Sequence, residues 1–173
     1  MNVDDQQAWD LGRIHISNLL SDCPAEVRLK LMPLLTRYRE IKEELSGIVA
    51  EVDSASVCRE CQGQCCLNGK YRINVLDAIT YITSAVQTAA NFSQKPLCPY
   101  GGEAGCAMEP GLRPADCVLF ICDRLDLMLM PRARAKIASE EQNLRKCIDE
   151  ASRLTGEKVG TPLLLWAESK ALI

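Results

Sequence analysis

A chain of 173 residues is long enough to bury one apolar core without covalent staples, yet this one carries ten cysteines. Its formal net charge of -3 implies no general attraction to nucleic acid and is too mild for an acidic disordered tail. The acidic start, MNVDDQQAWDLG, lacks the basic-then-apolar order of a secretory signal, and no stretch approaches the roughly 20 apolar residues that span a membrane. The expected setting is a reducing cytoplasm, where clustered cysteines bind metal or do chemistry more often than they form disulfides.

The N-terminal part predicts helix, with Asp22 as a cap and Pro24 in the first turn of a following one. A second start is expected at Pro33. From there Leu34, Tyr38, Ile41, Leu45, Ile48 and Val52 recur at alternating spacings of four and three, one apolar stripe along the helix. Such a stripe faces a core or a neighbouring helix. Its alternative is a protein partner docking on helix 34–52, although three heptads are few for a coiled coil.

The pattern stops at CRECQGQCC, residues 58–66, where Gly63, Asn68 and Gly69 mark turns. NVLD at 74–77 places an acid at the third helical position after a capping residue. Ile79, Ile82 and Val86 continue the stripe, so helix is expected from about 75 to 90. Residues 93–117 are dense in Gly and Pro and lack periodicity; an irregular segment this long needs something to tie it down. VLFI at 118–121 predicts a short strand or a buried turn. Helix resumes after Cys122, with Pro131 in a first turn, an intermittent stripe of Ile137, Leu144, Ile148 and Leu154, and an end near Gly156. PLLLWAESKALI predicts a last short helix. The expected fold class is mostly α: one small helical domain over residues 1–173 with two irregular cysteine-rich metal-binding segments. The cysteine-cluster region, 55–124, lies between N-terminal and C-terminal helices.

Eight of the ten cysteines fall in those irregular segments: Cys58, Cys61, Cys65, Cys66, Cys98, Cys106, Cys117 and Cys122. Cysteines used as small core hydrophobes would scatter across the helices, as Cys23 and Cys147 do. Cys58 and Cys61 form a CxxC whose two sulfurs can face one ion, with Gly63 supporting a tight turn of the zinc-knuckle kind. Eight thiolates match two four-cysteine zinc sites, or an iron–sulfur cluster plus one other site; they exceed a single mononuclear site. Adjacent Cys65 and Cys66 serve different sites, bridge two ions, or leave one thiol uncommitted. Eight thiolates with two zinc ions would take the net charge from -3 to about -7, so N–H groups and cations must surround them. Lys70, Arg72 and Arg113 are placed to contribute, or are simply solvated. A disulfide scaffold, buried thiols and a dithiol relay are the competing readings.

The run Cys58-x2-Cys61-x3-Cys65-Cys66, with CPY at 98–100, GC at 105–106 and RPADCVLFIC at 113–122, resembles the zinc- or iron-chelating CxxCxxCC cysteine-cluster family over about residues 55–124. The resemblance implies that the eight cysteines just named ligate metal. It also implies that Arg113-Pro114 precedes the last pair and that Asp77 is the acid near the helix start after the first cluster. Three residues, rather than two, separate Cys61 from Cys65. Some relatives resemble the cysteine region of flagellin lysine N-methylases, which implies an iron–sulfur enzyme as an alternative. No glycine-rich nucleotide fingerprint and no CxxxCxxC triad accompanies it here.

The one histidine, His15, lies in GRIHISNLL and excludes a histidine-rich hydrolytic site. Glu60, Glu103, Glu109 and Asp116 lie near cysteines, but nothing pairs them with a substrate. Arg132, Arg134 and Lys136 form a short basic run beside LDLMLM, a solvated face or a docking point for an acidic partner or RNA; too few aromatics accompany it for base stacking. The functional expectation is a metal-binding protein holding zinc, in two sites, or iron through clustered thiolates. An iron–sulfur enzyme or electron carrier, and a metal-stabilised interaction module, are its alternatives. Metal ions are the expected partners, without nucleic acid or membrane.

Overall fold

The fold is mostly helical. The computed structural model describes residues 4–61, 64, 69–84, 90–93, 98–102 and 105–170, through which eight α-helices run. α1, Asp5–Asp22, opens where the Asp4 carboxylate accepts the Gln7 N–H at 2.8 Å. Asp22 therefore closes a helix rather than capping the next one, and Pro24 takes the N-cap position of α2, Ala25–Ala50. α2 also runs through Pro33, where a new start was expected. Proline cannot donate to the carbonyl four residues back. Leu29 and Pro33 are both exposed, so water can serve that carbonyl and one helix continues.

Leu35, Tyr38, Ile41 and Leu45 form the buried side of α2, which packs on α7, Pro131–Thr155. The α7 face beneath it carries Ile137, Leu144, Cys147 and Ala151. The stripe from Leu34 to Val52 is thus spent on this chain's own core, with Leu34, Ile48 and Val52 half-buried at its margin. α7 ends as its sequence indicates, at Gly156 with φ 72°, a left-handed position that glycine adopts without strain.

α4, Val75–Ile82, begins with the expected capping box: Asp77 N–H donates to Asn74 Oδ1 at 2.7 Å, and Asn74 N–H to Asp77 Oδ2 at 3.2 Å. The helix stops earlier than the expected residue 90. Thr83 and Ser84 hydroxyls bond back to the carbonyls of Ile79 at 2.8 Å and Tyr81 at 2.7 Å, competing with the next backbone donors. Val86 lies outside the described residues.

α8, Leu163–Lys170, lies on α1, where a Cβ at Gly12 would stand 2.9 Å from Leu163 Cδ1; a glycine permits that approach. Backbone bonds stitch the entry of α8 to the start of α4: Leu163 N–H to Ile73 O at 2.8 Å and Val75 N–H to Thr161 O at 3.0 Å. Between these long elements come α3, Ser54–Glu60; α5, Ala115–Leu119; α6, Asp123–Asp126; and a hairpin of β1, Gly101–Gly102, and β2, Gly105–Cys106. The hairpin is antiparallel, with Gly101 opposite Cys106. VLFI is split, its first half closing α5, with Phe120 extended and Ile121 outside any helix or strand. Trp9 gathers Tyr81, Phe92 and Tyr100 around it, with ring centroids 5.9–6.5 Å apart. None of the described helices is long and apolar enough to cross a membrane.

Candidate functional site

Three short pieces of chain carry the described cysteines of the expected site. The first is α3, anchored by buried Val57 and entered through Asp53 at φ 52°. Cys58 is exposed on it, and Cys61 closes it, its thiol pointing at the Cys58 carbonyl at 3.4 Å. α3 packs against β2, which bears Cys106, and against α6, whose N-cap is Cys122. Glu60 and Arg124 join α3 to α6 at 2.5 Å.

The second piece starts at buried Cys98, whose carbonyl accepts the Gly101 N–H at 2.9 Å. The hairpin then returns, and Ala107 N–H bonds the Tyr100 carbonyl at 2.8 Å. Gly69, just beyond the first cysteine cluster, lies directly on this piece: a Cβ there would stand 2.5 Å from Cys98 Sγ. The third piece is α5, which carries Cys117 in its first turn and leads to Cys122.

The thiols of the second and third pieces act on one another. Cys98, Cys106 and Cys117 lie within electrostatic reach of one another, and the Arg72 guanidinium acts on Cys98 and Cys117. Burial is the largest effect on the Cys98 and Cys117 thiols and holds both above the usual range, Cys117 far above it, while Arg72 pulls them down. The same guanidinium lies 4.6 Å from the centre of the Phe120 ring. Cys61 and Cys122 act in turn on Arg124. Among the described residues, however, no three His, Cys, Asp or Glu side chains are grouped to hold a metal ion. Cys65 and Cys66, the other two expected ligands, lie outside the described residues.

The other residues singled out from the sequence are placed as follows. Lys70 pairs with Asp5 at 2.5 Å, and Arg113 Nε donates to the Met108 carbonyl at 3.3 Å. Of the acids near cysteines, Glu60 is engaged by Arg124, and burial, then Asp77, raises the Asp116 carboxyl above its ordinary range. Glu103 lies outside the described residues. His15 meets the edge of Trp166, with centroids 6.0 Å apart. In PRARAK, Arg134 pairs with Asp126 at 3.1 Å and Lys136 bridges Glu44 at 3.0 Å and Glu140 at 2.6 Å, beside exposed Leu127, Met128 and Met130.

Sequence reasoning missed a buried polar centre next to this region. The Asp77 carboxylate is fully buried and accepts from Lys42 Nζ at 2.9 Å, Tyr38 Oη at 3.0 Å and Asn74 N–H at 3.2 Å. Both its oxygens also lie 3.2 Å from the Ala115 N–H, the first of α5. Lys42 is equally buried; burial lowers its ammonium from the ordinary range, and Asp77 opposes the change. Burial, then the Asp77 charge, raises the Tyr38 phenol. The signal was available: on a helix, Lys42 falls one turn after Tyr38 and shares its buried face with Leu45.

No family model, curated protein or solved structure matches this chain, so the resemblance to the CxxCxxCC family stands on its cysteine spacing.

Proposed function

We propose that this chain is a metal-binding protein that holds zinc, in two sites, or iron through the thiolates of Cys58, Cys61, Cys65, Cys66, Cys98, Cys106, Cys117 and Cys122. The observation that carries the reading is the meeting of the separated cysteine-bearing pieces. α3 lies on β2 and α6, and Gly69 lies on Cys98. Pieces of chain that carry cysteines from the two distant stretches thereby pack against one another, which supports the reading. The donor set is soft sulfur throughout, which suits zinc or iron and not magnesium or calcium. Dehydrated thiols such as Cys98 and Cys117 ionise against a strong nearby positive charge, which a bound ion brings and which Arg72 supports. When bound, zinc would cross-link the short elements, and an iron–sulfur cluster would add a one-electron couple.

Elemental analysis with a visible spectrum, on protein prepared without oxygen, tests the proposal. A colourless protein with zinc at two per chain supports a structural or storage role. Iron with sulfide, and a brown colour absorbing near about 400 nm that bleaches on reduction, supports the iron–sulfur form. Protein that takes up neither metal refutes the proposal.

A further inference from the structure

We infer that Asp77 and Lys42 are positioning residues for the metal site, acting through α5 to set the direction of Cys117. The inference rests on the metal-binding reading above. α5 has only five residues, too few to hold a helix by its own hydrogen bonds. Its N-cap position is Pro114, which offers no side-chain acceptor for the first-turn N–H groups. The acceptor comes instead from another helix: both Asp77 oxygens face the Ala115 N–H at 3.2 Å. Asp77 is in turn held by the α4 capping box, by Tyr38 and by Lys42. Cys117 follows Ala115 by two positions on the same short helix, so its direction is inherited from this docked end.

A fully buried ion pair is by itself weak evidence for stability, because apolar groups of similar volume often serve as well. What an apolar pair cannot provide is a directed acceptor for the Ala115 N–H.

The test uses the full chain without oxygen, with zinc affinity measured by competition against a chromophoric chelator and the ligand field read from bound cobalt(II). Asp77→Asn should weaken zinc by about 10–100-fold and alter the cobalt bands. Ile16→Ala, in the apolar core one turn beyond Gly12 on α1, should lower thermal stability while leaving zinc affinity and the cobalt bands unchanged. The uncharged pair Lys42→Met with Asp77→Leu guards against a variant that fails to fold, and should weaken zinc as Asp77→Asn does. Wild-type affinity and bands in Asp77→Asn or in the uncharged pair, or equal weakening by Ile16→Ala, would overturn the positioning role alone. A wild-type chain that takes up neither zinc nor cobalt would instead overturn the metal-binding reading, and this inference with it.

Discussion

The long helices and the cysteine-bearing pieces place polar atoms inside the same molecule by different means. α2 and α7 run for 26 and 25 residues, and the buried charges on their inner faces find partners within the chain: Lys42 meets Asp77, to which Tyr38 also donates, while Glu140 meets Lys136 and Asn143. α3, α5 and α6 have seven, five and four residues, the hairpin strands two each, and their conspicuous side chains are thiols. A long amphipathic helix is ordered by the face it buries. A helix of five residues borrows its order from contacts made elsewhere. Here the lenders are Asp77 on Ala115, Gly69 on Cys98 and Glu60 on Arg124, together with the proposed ions.

The contrast breaks first if Asp77 is removed. Asp77→Ala leaves Lys42 buried without its counter-charge and should cost about 3–5 kcal/mol in urea unfolding. A loss under about 1 kcal/mol would mean that the centre is dispensable.

Gly69→Ala probes the seam between the two irregular segments. Its new methyl would meet Cys98 Sγ at 2.5 Å, so about 1–3 kcal/mol of overpacking is expected. Faster reaction of Cys98 with a thiol reagent should accompany it, and unchanged reactivity would show that the seam yields without opening.

Alkaline pH sharpens the comparison from the thiol side. Burial raises the Cys98 and Cys117 thiols in the folded chain, so above an unfolded value of about 8.5 the native state keeps protons that the unfolded state has lost. Stability of metal-free protein should be unaffected by these groups below that pH and fall as pH rises above it. Replacing both cysteines by serine should flatten that fall; an unchanged slope would assign it to other groups.

The smallest effect belongs to Tyr100, whose buried hydroxyl has no hydrogen-bond partner among the described residues. Tyr100→Phe should leave metal-free protein as stable or more stable by about 1 kcal/mol, whereas a clear loss would reveal an acceptor for that hydroxyl.

What was legible in the sequence follows the same division. The stripe on α2, the Asn74–Asp77 capping box and the stop at Gly156 are local patterns, readable because each depends on residues within a few turns. Pro33 misled because a missing donor matters little where water can reach the freed carbonyl. Lys42 was passed over because its partner is 35 positions away, and composition treats a lysine as surface by default. The contact of Gly69 with Cys98 has no local signature either. Cysteine spacing pointed to the residues of the candidate site, but the approach of its pieces depends on packing that no short pattern encodes.

The most direct test is X-ray absorption at the metal edge of the purified, oxygen-free protein. The account predicts a first shell of sulfur alone, about four scatterers near 2.3 Å for zinc, and its loss when Cys98 and Cys117 are replaced together by serine. A shell of nitrogen and oxygen near about 2.0–2.1 Å, or one untouched by that double replacement, would contradict it.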